Sequence, residues 1–308
     1  MCLVSAAAWA ATPAERGPFG VAELHEHLTD PSRGREMDLL VLHPSSVDGA
    51  KVPASGLPLI VFTHGFLLSG GLYRSYGEHL ASHGFVVLLP TYPMSFFDLD
   101  HSALALNVHH VIDHCLASDA NSESALYGLV DESLIGASGH SLGGKLALLE
   151  AVIDARIGAI ATLDPVDGSG PVAGDPIRYP SVTPELMPKI SVPLLFVGAE
   201  LGSVAYSLMP CAPLADNYQR FYEAANSPAM KITQLGAGHG QYVDPGAEAM
   251  MMACAPGTAA AEWVRASATA YLTAFFLWHL RGDGGALEWL DNRLAEDETS
   301  GLIRVQQK

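Results

Sequence analysis

The stretch Gly139-His140-Ser141-Leu142-Gly143 centres a serine between two glycines. A turn tight enough to thrust a serine hydroxyl clear of the backbone leaves no room for bulky Cβ groups two residues before and after it, so the spacing has a steric reason. The hydroxyl is a weak nucleophile until a base takes its proton. Two histidines follow it in the chain, His239 and His279. His239 stands in the flexible run Gly236-Ala-Gly-His-Gly240 after an apolar segment, whereas His279 lies inside a long apolar pattern and reads as a structural histidine. Such a base needs a carboxylate on its other ring nitrogen to fix the tautomer and stabilise the imidazolium. Asp164, Asp167 and Glu200 are the candidates, and Asp164 is preferred because it follows its apolar run directly. The chemistry of this set is acyl transfer through a covalent intermediate, with two backbone N–H groups aimed at the developing oxyanion. Leu142, next after the serine, and Phe66, in Thr63-His64-Gly65-Phe66, are placed to supply them.

These groups are far apart in sequence, so strand ends must bring them together. Short apolar runs at Asp38–Leu42, Leu59–Thr63, Phe85–Pro90, Leu134–Ala137, Ile157–Leu163, Val192–Gly198 and Lys231–Leu235 read as strands. Helical patterns fall at Tyr73–His83, Ala103–Ala117, Gly143–Ala155, Ala215–Ala225 and Ala260–Leu280. Near-continuous runs such as Leu59-Ile-Val-Phe62 suit strands covered on both faces, and the strand–helix alternation predicts a doubly wound, mostly parallel α/β sheet. The serine, acid, histidine order and the strand–turn–helix setting of Ser141 specify the α/β-hydrolase fold. One domain is expected over residues 21–308, with residues 1–20 an extension that fits a residual targeting segment. The Pro- and Gly-rich stretch Asp164–Ser191 reads as a loop over one sheet end, where binding sites tend to lie.

Composition narrows the partners. Of the 308 residues 49% are hydrophobic and only 16% charged, against a usual share of about 25% charged. The net charge of −17 repels phosphate backbones, so no nucleic acid partner is expected. Ala266–Leu280 is shorter than the roughly 20 apolar residues that span a bilayer and is closed by Arg281, so it reads as a buried helix rather than a transmembrane segment. His110 and His114 have the spacing of metal ligands on a helix, but no third ligand suggests itself and no metal is expected. Cys211 and Cys254, each in a Cys-Ala-Pro tripeptide, can form one disulfide or remain two buried thiols.

Phe62-Thr-His-Gly-Phe66, Ala81-Ser-His-Gly-Phe85, Gly139-His-Ser-Leu-Gly-Gly-Lys145, Leu163-Asp-Pro-Val-Asp-Gly168 and Cys211-Ala-Pro213 together resemble the chlorophyllases, over about Pro58 to Asp244. The likeness extends to Asn217, Phe221-Tyr222 and the His239 loop, and the platelet-activating-factor acetylhydrolases are also similar. The resemblance implies a serine esterase cleaving the phytyl ester of chlorophyll to chlorophyllide and phytol, with Ser141, Asp164 and His239 as triad and no protein cofactor. It also implies a chloroplast location, a secreted or cytoplasmic one being the alternative for a bacterial chain. Land-plant members usually carry Arg where this chain has Leu142, and the segment Phe275–Asp283 looks more like generic esterases, so a lipase, acetylhydrolase or polyester hydrolase is the enzymatic alternative. A small-molecule binding protein of the same fold is the alternative of another class. A lipophilic substrate is expected to meet Leu67, Leu68, Tyr92, Met94, Phe96 and His140, with Met250–Met252 nearby.

Overall fold

The computed structural model describes residues 11–47, 50–54, 56–95, 99–168, 175–207 and 209–308. Among the described residues nine strands form one sheet: β1 (Gly20–Asp30), β2 (Arg35–Ser45), β3 (Leu57–Thr63), β4 (Val86–Thr91), β5 (Val130–His140), β6 (Ile157–Leu163), β7 (Leu194–Ala199), β8 (Ala229–Gln234) and β9 (Ile303–Gln307). Their spatial order is β1-β2-β4-β3-β5-β6-β7-β8-β9. The strands from β4 to β8 run parallel, while β1 and β2 on one side and β9 on the other pair antiparallel. This is the α/β-hydrolase fold.

Helices cover both faces: α1 (Arg74–Ser82), α2 (His101–Asp119), α3 (Leu142–Ile153), α4 (Tyr218–Ala224), α5 (Ala261–Arg281) and α6 (Gly284–Thr299). Period-2 alternation sends Leu59 and Val61 to one core, shared with α2, α3 and α4, and Ile60 and Phe62 to the other, shared with α1, α5 and α6. Every residue of β3 is buried, which is why its sequence shows an unbroken apolar run instead of alternation. The apolar stretch Ala266–Leu280 lies within α5, packed inside the second core, and no described helix is long and apolar enough to cross a membrane. Thr12–Phe19 lies against α1: the Gly17 N–H donates to Ser82 Oγ, and Phe19 N–H to the Ser82 carbonyl.

The predicted strand Ile157–Leu163 has the observed bounds of β6. Other elements differ. β2 and β5 extend well beyond Asp38–Leu42 and Leu134–Ala137 because antiparallel pairing with β1 and lateral pairing with β3 carry the ladders into polar sequence. Helix α4 starts at Tyr218 rather than Ala215, since the Asn217 side chain caps it by accepting from Gln219 N–H. Strands β1 and β9 and helix α6 are additions to the expected set. A disulfide joins Cys211 to Cys254 and closes a loop of about 40 residues, while Cys115 is buried and free.

Candidate active site

Ser141 sits between the end of β5 and the start of α3 with φ 57° and ψ −122°, a conformation L-residues avoid and hold only where surroundings impose it. The imposing contacts are visible at the flanking glycines. A Cβ at Gly139 would lie 2.4 Å from Thr63 Oγ1, and one at Gly143 would lie 2.1 Å from the Thr63 carbonyl oxygen. The Ser141 N–H donates to the Leu163 carbonyl, and its own carbonyl accepts from Gly144 and Val166 N–H, so the strained turn is tied to the end of β6, the loop after it and the first turn of α3.

Three strand ends then converge. His239 Nε2 is 3.0 Å from Ser141 Oγ, and His239 Nδ1 is 2.7 Å from Asp164 Oδ2. Asp164 follows β6 directly, at φ 40°, and its Oδ1 accepts the Ala199 N–H at 3.1 Å. His239 follows β8 and opens a short 3-10 helix, His239–Tyr242. Asp164 and His239 are buried, whereas Ser141 keeps part of its surface open. The three acids considered from sequence separate cleanly. Asp167 forms a buried ion pair with Lys145 at 3.0 Å, and Glu200 accepts from Gly236 N–H and reaches Arg304, so Asp164 alone among them meets His239. His279 stands on α5 in ring contact with Phe275 and Trp278, and its pKa is pushed down to about 4 by burial.

Leu142 opens α3, so its N–H belongs to the unbonded first turn and points with the positive end of the helix dipole. Phe66 lies in the turn after β3 closed by Leu68 N–H donating to the Gly65 carbonyl, with Leu67 at φ 56°. Leu67 N–H approaches Met94 Sδ at 3.3 Å, so these two expected contact residues meet at the rim of this turn, both partly exposed.

Three of the expected substrate contacts are buried in this structure. Leu68 packs into the core beneath the turn, Tyr92 is stacked on the His64 ring at 4.1 Å, and His140 is fully buried, so none offers an open face to a ligand. Phe96 lies outside the described residues. His140 has instead a role that spacing did not reveal. Its Nε2 is 3.0 Å from the His239 carbonyl, which can only accept, so Nε2 carries the proton and Nδ1 accepts from Tyr73 Oη at 2.7 Å. Tyr73 Oη in turn receives Gly65 N–H at 3.3 Å. One buried chain therefore links the turn bearing Phe66, the residue before Ser141 and the backbone of His239. Burial and the neighbouring His239 ring hold the His140 pKa well below the usual histidine range, so it stays neutral. His64 is likewise pushed down to about 4 by burial. His114 pairs with Glu26 at 2.8 Å.

The arrangement fits a hydroxyl nucleophile with base, orienting acid and a helix N-terminus for an oxyanion. Comparison with known proteins agrees in kind. The chain is 26% identical to chlorophyllase-2 of Arabidopsis thaliana over 61% of each chain. It is 29% identical to the chloroplastic chlorophyllase-1 of Citrus unshiu over 60% of this chain and 55% of the relative, so the matches span a little over half of the plant proteins' length. A cutinase of Thermobifida fusca (strain YX) is 26% identical over 74% of this chain and 68% of its own. The chlorophyllase family model matches residues 16–299, across Ser141, Asp164, His239 and all but the last of the nine strands, and the chain belongs to the chlorophyllase family.

Proposed function

We propose that this chain is a carboxylic ester hydrolase, carried by a single domain over residues 21–308, and that its substrate is the phytyl ester of chlorophyll. The observation that carries the reading is the line Ser141 Oγ, His239 Nε2, His239 Nδ1, Asp164 Oδ2, with both links within hydrogen-bond reach. Ser141 Oγ forms a bond to the ester carbonyl carbon as its proton passes to His239 Nε2, and Asp164 stabilises the imidazolium. Leu142 and Phe66 N–H groups hold the negative oxygen, each such donor supplying about 3 to 4 kcal/mol of transition-state stabilisation. The carbon–oxygen bond to the alcohol breaks, His239 returns the proton to the leaving oxygen, and water then cleaves the acyl-enzyme by the same route.

The plant relatives' names favour chlorophyll, and the cutinase match favours a second reading, hydrolysis of other lipophilic esters. The Citrus relative is named as chloroplastic, which supports that compartment here. A disulfide suits an oxidising compartment, so secretion is the alternative. A fluorophosphonate should label the wild type and leave Ser141→Ala unlabelled; absence of labelling on both overturns the hydrolase reading. Chromatography of chlorophyll a digests, run beside short p-nitrophenyl esters, then separates the substrates. Chlorophyllide release abolished by Ser141→Ala supports the first reading, and turnover of the short esters without chlorophyllide supports the second. Asp164→Asn should lower kcat about ten-thousandfold, whereas a comparable loss in Glu200→Gln would overturn the assignment of the acid.

A further inference from the structure

A cavity of about 500 Å³ opens beside the His239 loop. Its walls are Tyr206, Val243, Met251, Met252, Ala255 and Pro256, and Gly240, the residue after the base, borders it directly. The contact between loop and wall is tight: a Cβ at Gly240 would lie 2.6 Å from Met251 Cβ. Besides the Tyr206 hydroxyl, the polar groups on the lining are the side chains of Gln241 and Arg265, of which Gln241 is already committed, accepting from Gly238 N–H and donating to the Ala259 carbonyl. Cys254, also on the lining, is fastened to Cys211, which anchors this wall to a second loop. Tyr206 and Met252 are themselves largely exposed, as is Met250 next in sequence to Met251, so the cavity is open to solvent along an apolar rim.

We infer that this cavity takes the long alkyl or isoprenoid chain of the ester's alcohol, and not the acyl portion. The inference rests on the esterase reading and follows from where the proton must go. His239 Nε2 has to deliver a proton to the departing alcohol oxygen, which requires about 3 Å between them, while the carbonyl oxygen faces Leu142 and Phe66 N–H. The alcohol chain begins at that departing oxygen, so it leaves the reacting carbon on the His239 side, where Gly240 and Met251 form the edge of the cavity. Thioether side chains suit a flexible, methyl-studded chain because they adjust to irregular shapes. The volume falls within the range of pockets that enclose a small ligand.

The test varies the two halves of the ester separately. Methyl, octyl and hexadecyl acetates vary the alcohol, and methyl acetate, octanoate and hexadecanoate vary the acid. Met251→Trp and Ala255→Phe fill the cavity, so the ratio of kcat/KM for hexadecyl over methyl acetate should fall at least about tenfold, the effect of two or more methylenes kept out of an apolar site. The ratio for methyl hexadecanoate over methyl acetate should move less than about twofold, well below one methylene's worth. Met251→Ala, which enlarges the cavity and puts no bulk into the core, should shift the alcohol ratio alone. Loss on the acyl series instead, or no change in the alcohol ratio with all three variants, overturns the inference. Fluorophosphonate labelling of Ser141 is read in parallel. Variants that label normally but keep the wild-type alcohol ratio sink the subsite, whereas a wild type that neither labels nor cleaves any ester sinks the esterase reading.

Discussion

At the scale of single residues, a buried hydrogen-bonded chain lies behind the candidate site. Tyr73, His140 and the His239 carbonyl form a chain in which each proton has one possible owner, so the loss of one hydroxyl has a defined effect. Tyr73→Phe leaves His140 Nδ1 and Gly65 N–H without partners in a dry interior, and should cost about 1 to 3 kcal/mol of stability in urea titrations. If the chain positions the base, kcat should fall several-fold while KM holds, and His140→Gln, which retains a donor and an acceptor, should recover more activity than His140→Leu. Equal activity in these two would mean that the ring only fills space. The approach of His239 to Ser141 was legible from the sequence because a strained elbow and a late glycine-flanked histidine leave a pattern of residue types. The burial of His140 was not legible, because spacing does not say which way a side chain leaves the strand end. The acid stayed open among three carboxylates for a related reason: Asp167 is claimed by Lys145, a partner from 22 positions earlier that only the fold brings close.

At the scale of elements, runs buried on both faces declared themselves, and half-buried ones did not. β1 carries Glu23, His25, Glu26 and His27 among few apolar residues, and β9 is five residues ending in polar side chains, so neither has an apolar run to find. Helix α6 did leave a trace: Gly282 in the left-handed region closes α5, Asp283 caps by accepting from Gly285 and Ala286 N–H, and Ala286, Leu290 and Leu294 recur at helical spacing on the buried face. The contact between α2 and α3 yields a prediction. Glu150 on α3 is buried against His109 on α2, with Asp154 and Arg156 alongside, and its Oε2 has no hydrogen-bond partner. Burial, with Asp154 adding to it, pushes the Glu150 carboxyl up to about 7. The folded state therefore keeps a proton that the unfolded chain releases above about 4.5, so this group's contribution to stability declines as pH rises from there to about 7. Glu150→Gln should remove the decline: urea midpoints of variant and wild type should diverge in the variant's favour between pH 5 and pH 8. A difference that is constant with pH would show that the carboxyl is ionised throughout.

At the scale of the whole molecule, acid works in the opposite direction. Burial holds His64 and His83 at about 4 and His101 at about 3, so all three remain neutral in the fold while the unfolded chain would charge them below pH 6.5. Stability should fall as pH drops from 6.5 towards 4, by up to about 1.4 kcal/mol per pH unit for each such histidine, and proton uptake on unfolding at pH 5 should approach three from these groups. A flat profile across that range would mean that the rings are charged in the folded protein. The sequence also posed a question of balance, since a chain with mean hydropathy of +0.22 carries a charge of −17. The doubly covered sheet absorbs most of the apolar content into two cores, and the exposed part gathers in places such as Tyr206, Met250 and Met252 beside the cavity. The two rims of the sheet have a different consequence. A sheet edge is an open ladder of hydrogen-bonding groups on which another chain can build, and here one rim is studded with glutamate and histidine while the other displays Arg304, Gln306 and Gln307. Side-by-side growth into filaments would have to desolvate those polar and charged groups, which opposes it, so any sticking in concentrated solution should begin at the methionine-lined mouth.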